Sequence, residues 1–120
     1  MNHKPLAIRP FIGAKDFKLS SSFYRDLGFE EVVLSPQMSL FTFGTLGFYL
    51  QNSYVKDWID NTMLFVEVED VQAYLAQLKA CNVIENYPVA RLSDVQHFDW
   101  GSEFYLHDPS GILWHFGQFR

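Results

Sequence analysis

The sequence predicts an α+β fold built from two βαβββ modules. Three observations predict it. Two short amphipathic segments, each opened by an aspartate, hold corresponding places in the two halves. Strand-like runs flank both segments. The second half closes on a strongly aromatic hairpin, Trp100-Gly-Ser-Glu-Phe-Tyr-Leu-His-Asp-Pro-Ser-Gly-Ile-Leu-Trp-His-Phe116. Its turn is Asp108-Pro-Ser-Gly111, where Pro109 presets φ and Gly111 accepts a positive φ.

The first helix is expected from Asp16 to Leu27, with Asp16 as N-cap and Gly28 just past the C-terminus. Phe17, Phe23, Tyr24 and Leu27 form its apolar stripe. The second is expected from Asp70 to Ala80. Its apolar residues Val71, Tyr74, Leu75 and Leu78 fall at i, i+3, i+4 and i+7, one face of a helix. Strands are expected at Leu6–Ala14, Glu30–Leu34, Ser39–Phe43 and Phe48–Gln51 in the first half, with Gly44-Thr-Leu-Gly47 as a hairpin turn. In the second half they are expected at Thr62–Val68, weakly at Val83–Asn86, then at Glu103–His107 and Ile112–Gly117. Tyr54 to Ile59 joins the halves with room for one helical turn. The register repeats: Phe11-Ile-Gly-Ala-Lys-Asp16 opens the first helix as Phe65-Val-Glu-Val-Glu-Asp70 opens the second. The expected organisation is a single domain, 1–120, made of repeats at about 6–52 and 62–119, with no linker between them.

A chain of 120 residues can bury roughly two-thirds of its unfolded surface, enough for one core. The formal net charge is -5, and the 9 basic residues are scattered, which argues against a nucleic-acid surface. An acidic balance reads first as plain solubility, and suits a cationic ligand where there is one. No apolar run approaches the roughly 20 residues of a membrane helix, and the N-terminal segment lacks the features of a signal peptide. With Cys81 as its only cysteine, the chain has no internal disulfide and fits a reducing cytoplasm. Aromatic residues make up 18% of the chain, with 12 Phe, 6 Tyr and 3 Trp. That exceeds what one small core needs, so some are expected to line a pocket or a subunit interface.

Paired βαβββ modules carrying Phe23-Tyr-Arg-Asp-Leu-Gly-Phe29 resemble the vicinal oxygen chelate superfamily, which includes glyoxalases, extradiol dioxygenases and bleomycin resistance proteins. Asp60-Asn-Thr62, Trp100-Gly-Ser-Glu-Phe104, Asp108-Pro-Ser-Gly111 and His115-Phe116 make the chain most similar to the bleomycin resistance proteins. The superfamily's enzymes hold a divalent metal with three side chains. The resemblance places Arg9, Met63 and His115 at those positions. Arg offers only donors and Met is a soft ligand, so no metal and no catalytic residue is expected. His3, His97 and His107 are read as surface or core histidines.

The resemblance further implies a homodimer that sequesters a flat, partly cationic antibiotic in grooves at the subunit interface, without breaking a bond. It implies a stacking role for Trp100, and places Met38 where the family has the partner aromatic. Thr42 shares the face of Met38. Phe65 matches another aromatic pocket position, and strand alternation turns Met63 and Glu67 the same way, with Leu64, Val66 and Val68 toward the helices. Glu67 and Asp60 would favour an amine or guanidine. Glu67 paired with Arg9 is the structural alternative. For Trp100 the alternative is a plug in the dimer seam. His115 completes the expected ligand-binding set. Pro10 lacks a ladder donor, and in the resembling family a proline here accompanies exchange of the N-terminal strand between subunits; an ordinary edge proline is the alternative. Two rival readings remain: a metal-dependent glyoxalase- or dioxygenase-type enzyme with an atypical ligand set, and a ligand-free structural relative.

Overall fold

The computed structural model describes residues 2–120. Both aspartate caps form. Asp16 accepts a hydrogen bond from the Leu19 N–H at the start of α1 (Phe17–Asp26), and Asp70 accepts one from Ala73 at the start of α3 (Val71–Ala80). Each satisfies an N–H that the first helical turn leaves free. Gly28, at φ 105°, follows α1 as expected.

The first module contributes β1 (Phe11–Gly13), β2 (Glu30–Ser35), β3 (Met38–Phe43) and β4 (Leu46–Gln51), ordered β1-β4-β3-β2 in one sheet. After the linking α2 (Lys56–Asp60), the second contributes β5 (Met63–Glu67), β6 (Arg91–Leu92), β7 (Gln96–Phe98), β8 (Gly101–His107) and β9 (Leu113–Phe119). Their order is β5-β9-β8-β6, with β7 also on β8. In each sheet the module's first strand runs parallel to its last, β1 on β4 and β5 on β9, while the other pairings are antiparallel. The fold is the expected α+β architecture of two related modules.

Two expected elements differ. The strand read over Leu6–Ala14 is confined to Phe11–Gly13. Pro10 has no N–H to give a ladder, and the segment before it leaves Leu6 and Ile8 at 101% and 95% exposure. Val83–Asn86, read as a weak strand, is a short helix, α4, entered through Asn82 in the left-handed conformation at φ 54°. Four residues cannot separate helical from strand periodicity. The pairing that this segment was expected to give is supplied by β6 and β7, in the stretch that follows.

Strand alternation sorts each sheet into a buried and an open face. Phe41, Phe48, Leu50, Phe104, Leu106, Trp114 and Phe116 point into the core, where Phe23 and Tyr24 of α1 meet them. Tyr24 joins the modules. Its ring packs on Phe48 and Trp114, its hydroxyl accepts from Trp114 Nε1 at 2.9 Å, and it donates to Asp108 Oδ2 at 2.6 Å. The other carboxylate oxygen of Asp108 accepts the N–H groups of Ser110, Gly111 and Ile112, each at 2.9 Å. The final hairpin turn is thus organised around one buried aspartate and tied to the first module's helix. Burial pushes the Asp108 carboxyl above its ordinary pKa despite these four donors, and it pushes Tyr24, beside that carboxylate, well above the usual tyrosine range.

Candidate functional site

The open face of the second sheet is where aromatic and titratable side chains converge. On β5 the alternation exposes Met63, Phe65 and Glu67, while Leu64, Val66 and the following Val68 pack against the core. The parallel register sets Phe65 against His115 and Glu67 against Gly117. The antiparallel register sets Tyr105 against His115 and Glu103 against Gly117. One face therefore carries Met63, Phe65, Glu67, Glu103, Tyr105 and His115.

Trp100 lies in the two-residue connection between β7 and β8. Its indole stacks on Phe98 at 5.8 Å and 5°, and meets Phe119 at 5.3 Å and Phe65 at 6.1 Å. Phe65 and Phe119 are 5.8 Å apart. These rings stay partly exposed, with Phe65 at 46%, Phe119 at 52% and Trp100 at 37%. They form a greasy surface of large π area open to solvent. The loop is pinned on both sides. Arg120 N–H donates to the Trp100 carbonyl at 3.1 Å. Gly101 has φ 155°, and a Cβ there would run into the Gln118 carbonyl.

Beneath this surface His115 Nδ1 lies 2.7 Å from Glu103 Oε1, and both side chains are largely buried. Tyr105 meets the His115 ring edge-on at 5.0 Å, while Phe65 lies over it at 6.3 Å and 24°. The Phe65 ring fills the space that a side chain at position 117 would need, so Gly117 lets it settle against the sheet. Desolvation and the Glu103 charge push the Tyr105 hydroxyl above its ordinary pKa. Desolvation, with Arg91 and His115 nearby, holds His107 below the usual histidine value.

The structure brings together Trp100, Phe65, Glu67 and His115 from the expected set. Met38 and Thr42 lie on the other sheet's open face, with Leu40 between them. Asp60 ends α2 and is ion-paired with Lys56 at 2.5 Å. Arg9 runs alongside Gly47, and among the described residues no ion pair joins it to Glu67. Glu67 instead lines a cavity of about 350 Å³ between the modules, shared with Ile8, Phe29, Leu46, Phe65 and Trp114.

Arg9, Met63 and His115, the three positions that the resemblance gives for a metal, do not suit a hard divalent ion. Arg9 has no lone pair to offer, Met63 offers a thioether, and Glu103 occupies one nitrogen of His115. Among the described residues no group of three or more His, Cys, Asp or Glu is placed to hold one.

Glu103, Tyr105, Phe98 and Phe119 belong to this face and escape a reading by motif. Hairpin counting finds the first two. A turn at Asp108–Gly111 pairs Tyr105 with His115 and leaves Glu103 one pleat away on the same face.

No family model matches the chain, and no curated protein sequence matches it. Solved structures do. The bleomycin-binding protein from bleomycin-producing Streptomyces verticillus, complexed with copper(II)-bleomycin, superposes with a TM-score of 0.81 at 23% identity, covering 98% of this chain and 99% of that one. A bleomycin resistance determinant encoded on transposon Tn5 gives 0.77 at 21% identity, covering 94% and 97%. Lactoylglutathione lyase from Agrobacterium tumefaciens gives 0.68 at 20% identity, covering 97% and 96%. The chain therefore has the fold of the bleomycin-binding proteins, a fold that also supports a lyase.

Proposed function

We propose that this protein binds and sequesters a flat, partly cationic small molecule of the bleomycin type, without metal and without chemical conversion. The observation that supports it best is the exposed cluster of Phe65, Phe98, Trp100 and Phe119 beside the Glu67 carboxylate. Stacked rings with an acidic edge suit a planar cation through both π contact and charge. In this reading the protein is a cytoplasmic homodimer that confers antibiotic resistance. Its grooves form where Met38 and Thr42 of one subunit face the aromatic surface of the other, and its N-terminal strand is exchanged between subunits. Each chain is one folding unit. Asp60 and Glu67 supply carboxylates, and His115 a polar contact. Among the described residues no helix is long and apolar enough to cross a membrane.

Calorimetric titration with bleomycin tests the reading, alongside sedimentation to measure the oligomeric state. Trp100→Ala is expected to weaken binding by about 1–3 kcal/mol with the fold intact. Unchanged affinity removes Trp100 from the site.

One observation favours a catalytic alternative. Glu103 orients His115 through Nδ1, the arrangement that frees Nε2 to act as a general base. Turnover of a hemithioacetal by metal-free protein, abolished in His115→Ala, would select it.

A further inference from the structure

We infer that His115 Nε2 is a built-in acceptor for an N–H on the ligand, so that the site prefers flat heteroaromatic cations bearing a ring or amide N–H. The inference rests on reading the aromatic face as the ligand site. A carboxylate can only accept, so the 2.7 Å contact requires the hydrogen to sit on His115 Nδ1. In the neutral ring Nε2 then carries a lone pair. That atom is buried and meets no hydrogen-bonding group among the described residues. A buried acceptor left without a donor is unfavourable, and a ligand that supplies one relieves the penalty.

The surroundings direct where the donor comes from. Tyr105 closes one side of the imidazole edge-on, and Glu103 closes the Nδ1 side. The cover over the ring is Phe65, which is 46% exposed and rests in the gap left by Gly117. Phe65 also meets Trp100. A planar molecule entering against Trp100 displaces the offset Phe65 ring and sets its own edge in the imidazole plane, where the Nε2 lone pair points. Phe65 thus keeps the acceptor dry until a ring of similar shape replaces it, and only a ring with an N–H on that edge restores the missing hydrogen bond.

Two measurements test this. Long-range ¹H–¹⁵N spectra of the free protein at pH 8 are expected to show His115 as the Nδ1–H tautomer. An Nε2–H tautomer overturns the inference whatever the ligand. The second uses a matched pair of probes, 2-(aminomethyl)benzimidazole and its N1-methyl derivative, which share charge and ring but differ in the ring N–H. The parent is expected to bind about tenfold tighter. That preference should vanish in His115→Asn, which can still donate to Glu103 but lacks an atom at the Nε2 position. It should return in part in His115→Gln, whose amide reaches further. Equal affinity for both probes in the wild type, with binding still lost in Trp100→Ala, leaves the aromatic face as the site and refutes the role of His115. Binding of neither probe also refutes it, and the bleomycin titration then judges the face separately.

Discussion

The two sheets share one backbone plan and carry different chemistry at matching stations. Phe11 stands five residues before its helix cap, as does Phe65. Phe11 pairs with Tyr49 in parallel register and stacks on it at 4.7 Å, where Phe65 pairs with His115. Across the sheet, Tyr49 faces Leu40 and Gln51 faces Met38, where His115 faces Tyr105 and Gly117 faces Glu103. The first sheet therefore sets a tyrosine, a leucine and a methionine where the second sets an imidazole, a phenol and a buried carboxylate. One backbone plan builds a wall centred on Tyr49, Leu40 and Met38 in one half and a hydrogen-bonded histidine–glutamate floor in the other. The strand register fixes the stations, and the side chains at them decide the chemistry.

The turns show the same contrast, and they yield the largest expected effect. In the first module the turn at Gly44 is open, and a side chain added there would meet nothing within 4 Å. In the second, Asp108 is 1% exposed and accepts four hydrogen bonds. Asp108→Ala is expected to cost about 3–4 kcal/mol in urea unfolding, because it strands the Ser110 and Ile112 N–H groups and the Tyr24 hydroxyl, while Gly111 keeps the main-chain carbonyl of residue 108. A loss of under about 1 kcal/mol would make the two turns energetically alike.

The same network gives a pH signature. Tyr24 has its pKa raised in the folded state by burial and by Asp108. Folding then binds the phenolic proton more tightly than the unfolded chain does. The resulting stability is fully present below the ordinary tyrosine value of about 10 and is lost as pH rises above it. Urea midpoints from pH 8 to 11 should fall steeply, and the fall should be shallower in Tyr24→Phe.

Two substitutions exchange features between the sheets, with smaller effects. Gly117→Ala puts a Cβ at the station that Gln51 fills in the first sheet. Its Cβ would meet the far end of the Phe65 ring, so the ring swings out at about 1–2 kcal/mol in stability. Raised Phe65 ring mobility in ¹³C relaxation checks the displacement. Met38→Phe places an aromatic on the first sheet's open face. It is expected to tighten bleomycin binding by about 0.5–1.5 kcal/mol by calorimetry. No gain would mean that this face does not meet the ligand.

Local signals made much of this legible in the sequence. Asp16 and Asp70 announce the helices because a cap acts within one turn. The alternation of Met63 to Val68 reveals which way Phe65 and Glu67 point because side chains alternate at every residue of a strand. Trp100 stands out because its motif is distinctive. What local signals missed is non-local or too short to have a period. The Glu103–His115 contact depends on hairpin register, and Phe119 joins Trp100 only through strand pairing. Val83–Asn86 is too brief to reveal its periodicity, and the left-handed Asn82 that starts it leaves no pattern in the residues around it. The Lys56–Asp60 ion pair spans one turn of α2 and exists only once that helix forms.

The pinned glycine beside the indole has a consequence for how binding preference can change. With Gly101 packed over the Gln118 carbonyl and Arg120 gripping the Trp100 carbonyl, the loop behaves as a fixed jaw rather than a flap. Evolution toward a new ligand can swap the teeth on that jaw but has little means of moving the jaw itself.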